Sequence, residues 1–141
     1  MIVAIKRSHY ATQLRLPLYA VPVQAGFPSP ADDYLQGSLD LNELCIEHPA
    51  ATYFVRAVGD SMIDVGIHSG DVLVVDRALE PRHGSVVIAA VNGELTVKQL
   101  IIERGKHCFR AANSNYPDLH VTEFMAIEIW GVVTNVVHSL R

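Results

Sequence analysis

Only three of the 141 residues are lysine and two are cysteine, and both scarcities narrow what the chain can do. Cys45 and Cys108 are too few for a disulfide framework, which fits a reducing, cytoplasmic setting. Long apolar runs are missing as well. The longest uncharged stretch near the N-terminus, LPLYAVPVQAGFPSPA, has 16 residues with four prolines, which excludes a membrane span there. In MIVAIKRSHY the basic residues follow the short apolar run instead of preceding it, so no signal peptide is expected. Internal repeats and low-complexity tracts are absent. The hydrolase elbow G-x-S-x-G is absent too, because the second glycine position after Ser61 is held by Ile63. That disfavours a Ser-His-Asp α/β-hydrolase.

Acidic residues are missing from the first 25 positions, where Lys6, Arg7 and Arg15 give a charge of +3. Residues 26–141 carry the other 8 basic and all 15 acidic residues, −7 in all, and the two parts sum to the chain's −4. A basic arm can dock on an acidic body electrostatically. An acidic body is a poor direct binder of nucleic acid, since duplex affinity depends on neutralising phosphates.

What is present is a chain half hydrophobic and 18% charged, the composition of a globular protein with a core. Residues 1–38 read as an extended arm, because Pro17, Pro22, Pro28 and Pro30 forbid a long helix. DLNELCIEH reads as a short helix, with Asp40 and Glu43 at capping-box spacing and Pro49 as its stop. Beyond it the pattern is β. TYFVRAV (52–58), DVLVVD (71–76), GSVVIAAV (84–91), ELTVKQLII (94–102), HCFRAAN (107–113) and AIEIWGVVTNVV (126–137) are rich in β-branched residues and bounded by turns. Asn92-Gly93 predicts a type I′ hairpin, and the last strand is long enough to bend at Gly131. The expected fold is mostly β, with curved, partly barrel-like antiparallel sheets, one short helix and an extended N-terminal arm.

The polar GDSM at 59–62 interrupts two apolar runs, YFVRAV and MIDVGI. A loop serine such as Ser61 is ordinarily a turn or cap residue. As a nucleophile it needs a base. The seven histidines are scattered and none lies in a catalytic motif; Cys45 and His48 have a ligand-like spacing but no second pair, so no metal is expected. A neutral lysine can also activate a serine. Lys6 lies in the arm and Lys106 follows Gly105 in an exposed turn, whereas Lys98 interrupts the apolar strand LTVKQLII. Strand alternation places Thr96, Lys98 and Leu100 on one face, and apolar surroundings disfavour a charged ammonium. An edge-strand lysine that discourages aggregation fits the position equally well.

GDSM, then DVGIHSGDVLVVDRA, then HGSVVIAAVNGELTVKQL together resemble the LexA/UmuD family of self-cleaving Ser-Lys peptidases, over nearly the whole chain. The resemblance implies that Ser61 is the nucleophile and Lys98 the general base. It implies that Thr96 orients the lysine and that the backbone N–H groups of Asp60 and Ser61 form the oxyanion hole. Such peptidases cut themselves between a small residue and glycine. The one Ala-Gly in this chain, Ala25-Gly26, falls where charge and composition already mark a boundary. The expected organisation is a cleavable arm, 1–25, and a peptidase-like dimerisation domain, 26–141.

Within the family, the short arm, GFPSP and the ending WGVVTNVVH resemble the UmuD- and MucA-type accessory subunits of error-prone translesion polymerases. Ala-Gly replaces the Cys-Gly of UmuD, and both first residues are small. The resemblance implies a homodimer, stimulation of cleavage by a RecA filament on single-stranded DNA, and a Y-family, UmuC-like polymerase partner in the SOS response. It calls for no cofactor, no direct nucleic-acid contact and no membrane. A β-module that binds a polymerase without cutting itself, and a signal-peptidase-like Ser-Lys protease, are the alternatives.

Overall fold

The stretches rich in β-branched residues resolve into strands within one or two residues of the sequence boundaries, except that the strand expected at 107–113 ends at Arg110. A computed structural model describes residues 2–7, 13–19, 35–121 and 125–141. The Ala25-Gly26 dipeptide lies outside these described residues.

One unit comprises residues 1–9 and 48–141. Its strands are β1 (Ile2–Arg7), β4 (Thr52–Ala57), β5 (Val72–Asp76), β6 (Val86–Val91), β7 (Glu94–Glu103), β8 (Lys106–Arg110), β9 (Leu119–His120) and β10 (Ile127–Val137). They form one antiparallel sheet in the order β1-β4-β5-β10-β6-β7-β8-β9. The other unit, residues 10–47, contains β2 (Leu16–Tyr19) paired antiparallel with β3 (Leu35–Leu39), followed by the helix α1 (Leu41–Cys45). The mostly-β expectation with one short helix is borne out. Neither sheet closes into a barrel among the described residues.

The proline-rich N-terminal region contains pairing that its composition did not announce. β1 runs antiparallel to β4, with Ile5 opposite Val55 and Lys6 opposite Phe54. Prolines exclude helix but leave extended backbone free to join a sheet edge. At α1, the Asp40 carboxylate accepts the Asn42 N–H at 2.9 Å, so the cap forms as expected. Glu43 does not close the capping box; it pairs with Arg15 at 2.6 Å. The helix ends at Cys45, ahead of Pro49.

Asn92 and Gly93 have φ of 50° and 84°, as the β6–β7 type I′ turn requires. Strand alternation then sorts the apolar residues of β6 and β7 onto two faces. Ile88 and Val97 join Tyr53, Val55, Met62, Leu73, Val75 and Ala112 in one buried cluster. Val87, Ala89 and Leu100 join Phe109 in another. Burial pushes the Tyr53 hydroxyl up to about 12, against the opposing charge of Arg77, and that hydroxyl donates to the Trp130 carbonyl at 3.1 Å. β10 serves two neighbours: its first half pairs with β6 and its second with β5. The hand-over coincides with a register shift between Ile129 and Gly131, where the sequence predicts a bend.

Candidate active site

The GDSM residues form the turn that leaves β4. Gly59 has φ of 95°, a conformation that glycine adopts without the cost a side chain would impose. Its N–H donates to the Ser69 hydroxyl at 3.1 Å. The Ser69 loop is itself held to the end of β4 by two backbone bonds, Gly70 N–H to the Ala57 carbonyl at 2.8 Å and Ala57 N–H to the Asp71 carbonyl at 2.9 Å. After Ser61 the chain enters a 3-10 turn, Ile63–Val65. Met62, 3% exposed, plugs the turn into the same buried cluster as Val97.

A three-residue segment, Ala111–Asn113, connects this turn to the lysine strand. On one side it receives the serine turn. Asp64 N–H donates to the Ala112 carbonyl at 2.8 Å, Ala112 N–H donates to the Met62 sulfur at 3.3 Å, and Asn113 Nδ2 donates to the Asp60 carbonyl at 2.9 Å. On the other side it continues β8, whose register pairs Arg110 with Gln99. The pairing stops there, with Gln99 the chain neighbour of Lys98. The sequence expects strand through residue 113, but β8 ends at Arg110 because the backbone of Ala112 is committed to the serine turn.

Within β7, Thr96 is paired with Ala89 and Lys98 with Val87. Both partners belong to the Leu100 cluster, so Thr96, Lys98 and Leu100 share a face. Lys98 is half-buried, with Val97 and Leu100 buried on either side of it in sequence. Ser61 is half-buried too. Among the described residues, no hydrogen bond joins the Ser61 hydroxyl to the Lys98 amine, and the N–H groups of Asp60 and Ser61 donate to no protein acceptor. Catalytic hydrogen bonds are often long before the substrate segment is seated.

Three participants escaped the sequence reading. Asn113 is 9% exposed and supports Asp60, while its Oδ1 accepts the Asn115 N–H at 3.0 Å. Tyr116 donates its hydroxyl to Asp60 Oδ1 at 2.6 Å, and that bond, with the carboxylate charge, raises the pKa of the phenol. Asp71 anchors the supporting loop. Burial works against its charge, but the His68 backbone N–H and the His138 side chain outweigh it and hold the carboxyl below the ordinary carboxylate range. NSNYP, at 113–117, is a polar interruption similar to GDSM, and only its contact with residue 60 reveals its purpose.

Asn113→Ala leaves the Asp60 carbonyl without its side-chain donor. The expected cost is about 1–3 kcal/mol in stability. If the turn carries the nucleophile, the rate of self-cleavage falls on the order of 10²-fold through its misplacement. Tyr116 is 40% exposed, so Tyr116→Phe should cost less stability than Asn113→Ala. Urea unfolding and cleavage rates measured in parallel check both. Equal effects of the two substitutions would contradict the assignment of Asn113 as the main support.

Among the described residues no helix is long and apolar enough to cross a membrane. The sequence matches the family described as Peptidase S24-like over residues 17–134. It is 45% identical to Protein SamA of Salmonella typhimurium over the whole of this chain and 98% of that protein. It is 48% identical to Protein MucA of Escherichia coli over 89% of this chain and 84% of that protein. With the LexA repressor of Psychromonas ingrahamii the identity is 31%, over 92% of this chain and 61% of the repressor.

Proposed function

Because the chain belongs to the Peptidase S24-like family, we propose that it is a self-processing serine endopeptidase cutting its own Ala25-Gly26 bond. The observation that supports this reading is the segment Ala111–Asn113, which holds the Ser61 turn on one side and on the other continues from β8, the strand paired with the Lys98 strand β7. In the proposed reaction Ser61 Oγ attacks the Ala25 carbonyl carbon and its proton passes to the neutral Lys98 amine. Thr96 orients that amine. The N–H groups of Asp60 and Ser61 stabilise the oxyanion. The Ala25–Gly26 bond then breaks, Lys98 returns the proton to the Gly26 nitrogen, and water releases residues 1–25 from the serine ester. The small side chain of Ala25 suits a narrow pocket, and Gly26 lets the segment bend into the site.

On this reading residues 1–25 are the arm and 26–141 the working domain. The processed chain pairs with a second copy and serves a Y-family, UmuC-like translesion polymerase in SOS mutagenesis. Seating of the arm is promoted by a RecA filament on single-stranded DNA. Adding such filaments to the full-length chain should speed the loss of intact protein by about tenfold or more, an ordinary coupling between two binding events. The fragment 26–141 should sediment as a dimer. A rate indifferent to the filament would overturn the regulatory part of the reading, and a monomeric fragment would overturn the pairing.

A further inference from the structure

Outside the serine turn, three side chains from distant parts of the sequence converge. Asp71 immediately precedes β5, and its carboxylate is 2% exposed. Oδ1 lies 2.6 Å from Nδ1 of His138, which follows β10, and Oδ2 lies 3.7 Å from Nδ1 of His68. The two rings face one another with centroids 4.5 Å apart and planes tilted by 35°. One donor atom from each residue lies within 4.8 Å of the other two. Both rings are partly open to solvent, at 48% and 41%, so an ion can reach the carboxylate without unfolding anything.

We propose that His68, Asp71 and His138 form a binding site for a divalent transition-metal ion of the zinc class, with water completing its coordination. Two imidazoles and one carboxylate suit zinc, nickel or copper(II), whereas calcium and magnesium require shells built mainly of oxygen. Donors about 2.0–2.1 Å from a tetrahedral ion are about 3.3 Å apart. The ring nitrogens lie 2.6 and 3.7 Å from different oxygens of the one carboxylate, and rotation of two partly exposed rings is what would bring both to an ion held by a single oxygen. The carboxylate is already fixed: it accepts the His68 N–H at 2.8 Å, and the Asp71 N–H donates back to the His68 carbonyl at 3.1 Å. A buried, preorganised carboxylate between two exposed imidazoles is a site that an ion completes with little reordering.

A second group, Cys108 with Asp118 and His120, meets the same distance limit. It is the poorer site. Burial and the neighbouring Asp118 push the Cys108 thiol up, away from the thiolate that a metal needs, and Asp118 is already held by Arg110 at 3.0 Å. An ion at His68, Asp71 and His138 would tie the residues after β10 to the loop that holds Gly59 through Ser69. The site does not depend on whether Ser61 is a nucleophile.

The test is calorimetric titration of the untagged, chelator-treated full-length chain with zinc chloride, and a parallel titration with cobalt(II) followed by absorbance. One ion per chain is expected. His68→Gln and His138→Gln should each weaken zinc by about tenfold or more, while His120→Gln leaves it unchanged. The cobalt complex should show visible bands without a thiolate charge-transfer band. Because both substituted rings are partly exposed, circular dichroism should find the variants folded. Absence of saturable uptake, equal affinity in wild type and both variants, or a thiolate band would each overturn the proposal.

Discussion

Ser61→Ala should abolish self-cleavage outright, and Lys98→Ala should reduce it by at least about 10²–10⁴-fold, the usual contribution of a general base. Lys98→Arg is the sharper variant. It keeps length and charge, yet a guanidinium does not give up its proton in proteins, so it should be as inactive as alanine. The pH dependence follows from the same chemistry. Only a neutral amine can accept the serine proton, and raising the pH increases the neutral fraction of any lysine base. Unstimulated cleavage should therefore climb from pH 7 toward pH 10. A histidine base would give a rate that levels off above about pH 7, and no single His→Ala substitution should abolish the reaction. A plateau near neutrality, with Lys98→Ala still active, would remove Lys98 from the mechanism.

The largest effect on stability is expected at Gly131, where β10 passes from β6 to β5. A Cβ at this position would stand 2.6 Å from Cγ1 of Val75 and 3.2 Å from the Asp76 carbonyl oxygen. Val75 is fully buried in the main core, and the Asp76 oxygen is backbone, so neither can simply swing away. Gly131→Ala should cost on the order of 2 kcal/mol through overpacking. In a chain of this size that lowers Tm by roughly 5–10 °C. Gly131→Val should cost more. Thermal and urea unfolding read the loss directly, and a Tm unchanged by alanine would show that β10 can shift away from β5.

The sequence exposed the parts of this molecule that depend on local pattern. Strand alternation and the Asn92-Gly93 turn located β4 to β8 and β10 within a few residues, because period-two burial and positive φ are written in neighbouring residues. The bend at Gly131 was legible for the same reason. GDSM and T-V-K were distinctive enough to carry the LexA/UmuD resemblance, which the family match bears out. Long-range partners were not legible. Nothing in the spacing of Asn113 and Tyr116 announces that they fasten Asp60, more than fifty positions away. The gathering of His68, Asp71 and His138 depends on β10 pairing with β5, a contact fixed by the whole sheet. In the N-terminal region, prolines correctly excluded helix but could not show that Ile2–Arg7 would join the sheet edge beside β4.

The central claim, a chain that cuts itself with Ser61 and Lys98, is tested most directly by intact mass after incubation of the purified protein alone at alkaline pH. The account predicts two new species, residues 1–25 and residues 26–141 with Gly26 as the new N-terminus, in the wild type and in neither Ser61→Ala nor Lys98→Ala. An unchanged mass under these conditions, a cut at another bond, or the same two fragments from the Ser61→Ala protein would contradict it.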